Sequence, residues 1–412
     1  MKTSDSLAQA QSLIETILSE MSGLGKPQLK FMRWIFVAWL GLPVRHSMMN
    51  LARFGPYCEK SIRLHFARSF CWAEFGRLLI AKRCGAERVC AFDPSFVAKA
   101  GRHTYGVDCW WCGTLQCALR GLEVGVLGVL DVAARSAFAL HAVQTPAREV
   151  LQERGVSLMQ HYIGVIDKQC ARLRQLGIDY LAVDAFFAKQ EFVDAMCEKG
   201  LHVVSRLRAD ANLRYLYRGK RNKKGRPRLY AGKVDCRRID KRRLRLFQRD
   251  EKCCYYSGVV NAPALGRNVR LVYIEERQGS AGKNRRYCIL MSSDVELAPQ
   301  KVMAYYQLRF GIEFLIRDAK SYAGLEECQA RDQDKLHFHF NLALSAVSVA
   351  KAAFWLVVPP AQRGAFSMRN VKLFCTCHLW TQRVFHSLGW EPSWEKCQPA
   401  YQQCLNIQQL AA

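Results

Sequence analysis

The spacing of apolar residues divides the chain into a helical beginning, a middle of alternating strands and helices, and a helical end. Over residues 1–80, apolar side chains recur at mixed three- and four-residue intervals, with breaks at 41–43 and 55–56 where Gly and Pro occur. This spacing is typical of short amphipathic helices. The mostly apolar stretch 324–358 predicts a long helix that packs on a sheet.

Short apolar runs predict strands between residues 88 and 208. One run, 89–92, is followed by Asp93, and another, 178–183, is followed by Asp184. The predicted order is strand, strand, strand, helix, strand, helix, strand, at about 89–92, 119–133, 135–144, 155–176, 178–183, 185–196 and 201–207. An acidic residue is therefore expected at the exit of the first strand and of the fourth.

Two other acids compete for these positions. Asp108 follows no clean apolar run, and Asp179 lies at the start of its predicted strand rather than at the exit. Asp93 and Asp184 are therefore the preferred candidates. For each of them, simple capping of the next turn is the alternative role.

The stretch 304–320, AYYQLRFGIEFLIRDAK, predicts one amphipathic helix with a charged face. At about 100° per residue, a sector of about 60° contains Tyr306, Arg309, Glu313 and Lys320. The opposite side carries an apolar stripe of Tyr305, Leu308, Ile312, Leu315 and Ala319. A carboxylate beside two cations and a phenol suits a hard metal ion that meets phosphate. The alternative is a solvated helix face with an Arg309–Glu313 ion pair.

The spacing Tyr-x2-Arg-x3-Glu-x6-Lys resembles the signature of the IS4-type DDE transposases. The resemblance implies that Glu313 is the third of three catalytic, metal-binding carboxylates, with Asp93 as the first and Asp184 as the second. It implies Mg²⁺ at these acids, with Mn²⁺ as a substitute. It also implies contacts to DNA from Tyr306, Arg309 and Lys320.

The resemblance further implies an α/β fold with an RNase H-like core interrupted by an all-β insertion, a helical N-terminal domain and a helical C-terminal region. The expected segments are a helical DNA-binding domain at 1–85, the first part of the core at 86–208, a basic β-rich insertion at 209–298, the second part of the core with the catalytic Glu helix at 299–355, and the helical C-terminal region at 356–412. In this family the C-terminal region often serves subunit contact, so a homodimer is expected in the active complex.

The charge balance narrows the choice of partner. With 61 Lys and Arg against 35 Asp and Glu in 412 residues, the net charge is +26, which favours double-stranded DNA. An anionic membrane surface would also suit this charge, but the most apolar early stretch, 35–44, is too short to span a bilayer. The N-terminus lacks the pattern of a signal peptide, so a cytoplasmic location is expected.

The basic charge is densest after the last predicted core strand. Within 218–249, 15 of 32 residues are Lys or Arg, and three segments with strand character follow at 253–260, 268–276 and 285–293. The Arg residues expected to contact DNA are Arg226, Arg228, Arg237 and Arg238. The stretch 225–228, Gly-Arg-Pro-Arg, suits a minor groove, and a solvated loop is its alternative.

Residues 42–70 predict two short helices across the turn at 54–56. A helix-turn-helix that enters a major groove would use the basic residues of this segment, and an ordinary helical hairpin is the alternative. These basic residues are Arg45, His46, Arg53, Lys60, Arg63 and Arg68.

Eighteen cysteines raise the question of zinc or disulfides. Cys109 and Cys112 could combine with a second group, formed by Cys375, Cys377 and His378, but neither group has a partner at finger-like spacing. Free thiols are therefore predicted. The stretch 279–283 lacks the full P-loop spacing, and His337 and His339 are predicted to have core or surface roles.

These patterns predict a DNA transposase that cuts at the ends of an insertion sequence and joins the 3′-hydroxyl to target DNA by two-metal-ion chemistry. A metal-dependent nuclease or resolvase on the same fold would cut DNA without joining it. A non-catalytic DNA-binding regulator derived from a transposase would need neither step. The long basic insertion argues against the nuclease, and the three acids with the full signature argue against the regulator.

Overall fold

The computed structural model describes residues 4–219, 226–277, 286–391 and 397–405. The chain begins with five helices, as the apolar spacing predicts for residues 1–80. Their bounds are α1 (Ser4–Glu20), α2 (Lys26–Gly41), α3 (Met48–Phe54), α4 (Glu59–Phe66) and α5 (Trp72–Arg83). The Ser47 side chain accepts a hydrogen bond from the Asn50 amide and so caps α3. The two short helices on either side of the turn at 54–56 are therefore present.

Strands and helices then alternate up to residue 207. The elements are β1 (Arg88–Ala98), β2 (Asp108–Cys112), β3 (Cys117–Asp131), β4 (Ser136–Gln144), α6 (Arg148–Glu153), α7 (Leu158–Asp167), α8 (Cys170–Gln175), β5 (Tyr180–Val183), α9 (Gln190–Glu198) and β6 (His202–Leu207). The predicted helix at 155–176 is two helices in the structure, and an additional strand, β2, precedes β3. The predicted order of the other elements is confirmed.

The second half of the chain is β-rich and then helical. Its elements are β7 (Arg214–Leu216), β8 (Tyr230–Lys233), β9 (Arg245–Arg249), β10 (Cys253–Ala262), β11 (Arg267–Glu276), β12 (Tyr287–Ser292), α10 (Pro299–Leu308), α11 (Phe310–Tyr322), α12 (Gln333–Ala350), α13 (Met368–Ser387) and α14 (Gln398–Leu405). The three strand-like segments predicted after residue 250 correspond to β10, β11 and β12.

All the described strands form one mixed sheet. Its order is β2-β3-β1-β5-β6-β12-β11-β10-β7-β8, with β4 paired to β3 and β9 paired to β10. The pairs β1–β5 and β5–β6 are parallel, and β6–β12 is antiparallel. The predicted boundaries at 208 and 298 therefore do not coincide with a break in hydrogen bonding, since β6 and β12 join across them.

The buried helix α12 covers the outer edge of β4. Its Asn341 side chain accepts a hydrogen bond from the Ala142 amide and donates one to the Ala142 carbonyl, both at 2.8 Å. Ser348 Oγ accepts from the Ala139 amide at 2.9 Å, and Lys351 Nζ donates to the Ala137 carbonyl at 2.9 Å. Polar side chains of α12 thus hydrogen-bond to backbone groups of β4 that have no partner strand on this side.

Candidate functional site

Asp93 lies in the middle of β1, not at its end. The strand continues through Pro94 to Ala98, with Asp93 opposite Val126 and Pro94 opposite Gly125 on β3. The prediction of a strand exit at Asp93 is therefore wrong. On the other side of β1, pairing with β5 is recorded only at Cys90 and Ala91, so that side is open when the chain reaches Pro94. A proline is tolerated at such a position because no partner strand needs its missing amide.

Asp184 immediately follows β5, as predicted. Its Oδ1 accepts a hydrogen bond of 2.8 Å from the Phe186 amide, which caps a short 3-10 turn. The parallel register pairs Cys90 with Leu181 and Ala91 with Ala182, and two more residues along each chain are Asp93 and Asp184. Because adjacent strands are about 4.8 Å apart, this register brings the two acids side by side.

The competing acids lie elsewhere. The Asp179 carbonyl accepts a hydrogen bond from the His202 amide at the opposite end of β5. Asp108 begins β2, and its carboxylate accepts from the amides of Cys109 and Arg148, each at 2.7 Å. Asp108 is therefore engaged in holding the start of α6.

The signature stretch forms two helices that meet at Arg309, where the sequence predicted one. Arg309 keeps right-handed helical angles (φ −49°, ψ −38°), and its amide is shared between the carbonyls of Tyr305 and Tyr306. The predicted apolar stripe is confirmed, since its members are 0–8% exposed: Tyr305, Leu308, Ile312, Leu315 and Ala319. Ile312 packs against Gly128 of β3, which fixes α11 over the strands that carry the acids.

Arg309 links the strand acid to the helix acid. Its Nη2 donates to Glu313 Oε1 at 2.6 Å, and its Nη1 lies 3.8 Å from Asp93 Oδ1. The Arg309 side chain is 6% exposed and is turned toward the sheet, whereas Glu313 is 45% exposed and remains accessible to solvent. Its buried Nε has no hydrogen-bond partner among the described residues.

The other two signature residues lie on the same side of the helices. Tyr306 is 9% exposed, with the Arg309 guanidinium 5.8 Å from its ring centre. Lys320 Nζ donates to the Phe96 carbonyl at 2.5 Å and lies 3.0 Å from Glu326 Oε1. The sequence assigned Lys320 to the helix face, but only the fold shows that it reaches back to β1.

The electrostatics of the site centre on Asp93. Burial raises the pKa of Asp93 to about 7, the Arg309 cation opposes the rise, and the carboxylates of Glu313 and Asp184 add to it. Glu313 and Asp184 are therefore both close enough to Asp93 for their charges to affect its pKa. A cation placed among these acids would favour the ionised form of Asp93.

The donor set is that of a site for a hard divalent cation, because all three candidate ligands are carboxylates. The described part of the chain nevertheless contains no group of three His, Cys, Asp or Glu side chains positioned to hold a metal ion. Arg309 bridges Asp93 and Glu313 and supplies a positive charge where such an ion would bind. The donor chemistry fits a divalent cation, and in this structure Arg309 occupies one oxygen of Glu313.

The zinc alternative is disfavoured by strand geometry. Cys109 and Cys112 are three apart on β2, so they project from opposite faces, and Cys109 is exposed while Cys112 is buried. His378 pairs with the Tyr401 hydroxyl at 2.5 Å, which occupies one of its ring nitrogens. The zinc content stays a prediction. The stretch 279–283, rejected as a P-loop, lies outside the described residues.

The four Arg residues predicted to contact DNA lie far from the acids. Arg226, Arg228, Arg237 and Arg238 are exposed, and the segment that holds them pairs through β8 and β9 with the end of the sheet opposite β1. Arg228 Nε donates to the Tyr230 carbonyl at 3.0 Å, with its guanidinium 5.0 Å from the Tyr217 ring. Gly225 of the predicted minor-groove motif lies outside the described residues.

The N-terminal basic residues have mixed environments. Arg63 pairs with Glu59 at 2.5 Å, and Arg53 is 3.4 Å from the Asn50 side chain. His46 is buried, and its ring nitrogens bond to Glu327 and to Lys372. His339, predicted to have a core or surface role, is buried and bonds to the Gly324 carbonyl at 2.7 Å.

Sequence reasoning overlooked two cations, Lys99 and Arg331. Both line a pocket with Arg45 at the end of β1. They carry no local signal, because each is a single basic residue in a loop of mixed composition. The only available hint was the excess of positive charge over the whole chain.

Residues 165–348 match the family model described as the transposase DDE domain. The match covers less than half of the 412 residues and supports a DDE transposase family. It includes Asp184 and Glu313 and begins after Asp93. No curated protein matches the sequence. Within the described residues, no helix is both long and apolar enough to cross a bilayer.

Proposed function

We propose that this protein is a DNA transposase of the IS4 type, which cuts DNA at the ends of an insertion sequence and joins the freed 3′-hydroxyl to target DNA. The observation that supports the proposal is the buried Arg309, which lies 3.8 Å from Asp93 Oδ1 and 2.6 Å from Glu313 Oε1, while the β1–β5 register brings Asp184 alongside Asp93. The match of residues 165–348 to the transposase DDE domain supports it independently.

Each carboxylate has its own support. Asp93 is held by the β1–β3 pairing, Asp184 is fixed by its bond to the Phe186 amide, and Glu313 projects from the first turn of α11. In this proposal the three acids are the metal ligands. Bound Mg²⁺ would activate a water or a 3′-hydroxyl and stabilise the leaving oxygen. Mn²⁺ would serve the same ligands, because it also prefers oxygen donors.

Arg309 offsets the charge of Asp93 and Glu313 in the metal-free protein. If Asp93, Asp184 and Glu313 held Mg²⁺, its charge would take over this role, and the Arg309 guanidinium would suit a phosphate oxygen. Tyr306 beside it, and Lys320 of α11, whose Nζ reaches Phe96 of β1, would contact neighbouring phosphates. These three residues therefore position the DNA strand, and the acids carry the chemistry.

Recognition of DNA is assigned to two surfaces away from the acids. The exposed side chains of Arg226, Arg228, Arg237 and Arg238 contact the phosphate backbone, and the α3–α4 pair contacts a groove in the manner of a helix-turn-helix. A net charge of +26 favours such a partner. The active complex is proposed to be a homodimer in the cytoplasm, with α13 and α14 in the subunit contact.

The nuclease or resolvase stays the second candidate, because the same acids could cut DNA without joining it. The two functions differ in their products. A transposase yields DNA molecules that carry a new 3′ junction, whereas a nuclease yields ends only. A regulator with a dead site yields neither product.

The test uses purified protein, Mg²⁺ and duplexes that carry the DNA flanking the gene, with a supercoiled plasmid as target. We expect cut ends and joined products, both lost in Asp184→Asn. The matched control is Asp179→Asn at the opposite end of β5, which should retain both products. Cleavage without joining would select the nuclease, and cleavage by Asp184→Asn at the wild-type rate would remove Asp184 from the site.

A further inference from the structure

A charged pocket lies at the end of β1, the strand that carries Asp93. It has a volume of about 410 Å³, and its lining includes Arg45, Lys99, Glu326 and Arg331. Three different parts of the chain supply the cations. Arg45 precedes α3, Lys99 follows β1, and Arg331 precedes α12.

Hydrogen bonds to backbone carbonyls tie the three cationic residues to neighbouring segments. The Arg45 carbonyl accepts from the Ser47 amide at 2.8 Å and from Asn50 Nδ2 at 2.9 Å. The Arg331 carbonyl accepts from the Tyr105 amide at 2.9 Å, and Lys99 Nζ donates to the Cys328 carbonyl. The arrangement is therefore built into the fold, since these contacts join the N-terminal helices, β1 and the segment after α11.

The positive charge of the pocket is uncompensated. In the part of the chain that the structure describes, no carboxylate lies within ion-pair distance of Arg45, Lys99 or Arg331. The one acid in the lining, Glu326, pairs with Lys320 at 3.0 Å. Burial lowers the pKa of Lys99, and the nearby charges of Arg45 and Arg331 lower it further. Cations that repel one another in an open pocket make a site for an anion.

The position of the pocket relates it to the candidate acids. Lys99 is six residues beyond Asp93, which corresponds to about 20 Å along β1. Between them, Lys320 binds the Phe96 carbonyl. Arg309 at Asp93, Lys320 at Phe96 and the pocket at Lys99 thus place cations at successive points along one strand. A DNA strand that rises 3.4 Å per nucleotide covers about 20 Å in about six nucleotides.

We propose that Arg45, Lys99 and Arg331 form a phosphate-binding pocket that holds the backbone of duplex DNA about six nucleotides from the phosphate to be cut. The inference rests on the proposed function for the identity of the polyanion. It adds a DNA contact between the N-terminal helices and the site of the acids. Because Arg45 belongs to the segment before α3, DNA in this pocket ties the N-terminal domain to the catalytic strand.

The first experiment measures the salt dependence of DNA binding. Fluorescence anisotropy with a duplex of about 40 base pairs, in EDTA, compares the wild type with Arg45→Gln/Arg331→Gln. Each lost phosphate contact lowers the slope of log affinity against log salt by about 0.9, so the double variant should lose about 1.8. At about 0.1 M salt its affinity should fall by on the order of tenfold per contact.

Two matched variants separate the pocket from charge in general. Arg83→Gln/Arg174→Gln removes two exposed Arg residues from α5 and α8, near the opposite end of β1, and should leave the slope within about 0.3 of the wild type. Arg45→Lys/Arg331→Lys keeps both charges and should retain the slope. Equal losses of slope in both Gln variants, or an unchanged slope in Arg45→Gln/Arg331→Gln, would contradict the proposal that this pocket binds phosphate. If the slope fell with an RNA duplex but not with a DNA duplex, DNA would not be the ligand of the pocket.

The second experiment tests the distance from the cut. Duplexes that extend about 3 or about 12 base pairs beyond the cleavage position mapped with wild-type protein are compared. The double Gln variant should weaken binding of the longer duplex only. An equal effect on both lengths would contradict the placement of the pocket about six nucleotides from the cut.

The pocket and the proposed function can fail separately. Cleavage by the wild type, together with an unchanged salt slope in Arg45→Gln/Arg331→Gln, would reject the pocket and keep the function. A lowered slope without any cleavage would keep the phosphate contact and reject the function.

Discussion

Two clusters of charged side chains in this protein, each built around a buried residue, are organised in opposite ways. The acid cluster consists of Asp93, Arg309 and Glu313, and the junction cluster consists of His46, Glu327 and Lys372. The first lies where α10 and α11 meet β1. The second joins the segment before α3, the segment after α11 and helix α13.

The junction cluster is fully hydrogen-bonded. Glu327 Oε2 accepts from the His46 amide at 2.6 Å and lies 2.8 Å from His46 Nδ1. Lys372 Nζ lies 3.1 Å from His46 Nε2 and donates to the Trp39 carbonyl at 3.2 Å. These bonds lower the pKa of Glu327 to about 2, so it stays ionised at any ordinary pH.

The acid cluster is left incomplete. Arg309 Nε has no partner among the described residues, and burial raises the pKa of Asp93. One cation faces two acids in this cluster, with Asp184 beside them. This difference is consistent with a stabilising role for the junction cluster and with the proposed role of the acid cluster in binding a cation and a phosphate.

The largest expected effect separates the two clusters by activity. Glu313→Gln should reduce Mg²⁺-dependent strand cleavage by more than about a hundredfold, because it removes the negative charge of a proposed metal ligand while keeping the side chain's shape. Glu313 is exposed, so the fold should persist. Glu327→Gln is the matched control and should cleave at close to the wild-type rate. An equal loss of cleavage in both variants would show that the two clusters do not differ in their importance for activity.

The second prediction concerns the cation of the acid cluster. Arg309→Met should lower the free energy of unfolding by about 3 kcal/mol at neutral pH without metal, because Asp93 loses its compensating charge. Urea unfolding measures the loss. Asp93→Asn in the same background should recover part of it, since the uncompensated acid is then absent. A double variant no more stable than Arg309→Met would show that Arg309 acts through packing alone.

The third prediction concerns the junction cluster and pH. Glu327→Gln should lower the free energy of unfolding by about 1–2 kcal/mol at pH 7, a value reduced for the partial exposure of Glu327. Because the folded-state pKa is lowered to about 2, the wild-type advantage is present above about pH 4.5 and is lost as the pH falls toward 2. Unfolding measured between pH 7 and pH 3 should show the two proteins converging.

The smallest expected effect lies beside the acid cluster. Lys320→Ala should weaken DNA binding and slow cleavage about tenfold, because one phosphate contact is lost. Mn²⁺ binding, followed by electron paramagnetic resonance, should be unchanged. Lys320→Arg should restore most of the DNA affinity. Loss of Mn²⁺ binding in Lys320→Ala would place this lysine within the metal site.

Much of the local structure was predictable. The apolar stripe of α10 and α11, the strand before Asp184 and the strands β10, β11 and β12 follow from periodicities of 3.6 and 2 residues. The errors have physical causes. The end of the apolar run at residue 92 suggested that β1 ends at Asp93, but pairing with β3 carries the strand on to Ala98. Arg309 fits a continuous helical pattern, yet the hydrogen bonds of the two helices meet there.

By itself, the sequence singled out the residues that are proposed to carry the chemistry: Glu313 and the cations at helical spacing, and the acids that follow apolar runs. These features depend on neighbours within a few positions, so they can be read along the chain. The tertiary structure decided which distant residues meet. The β1–β5 register aligns Asp93 with Asp184, burial turns Arg309 inward, and three segments bring Lys99 to Arg45 and Arg331. Such contacts depend on strand pairing and packing across hundreds of residues, which no local pattern encodes.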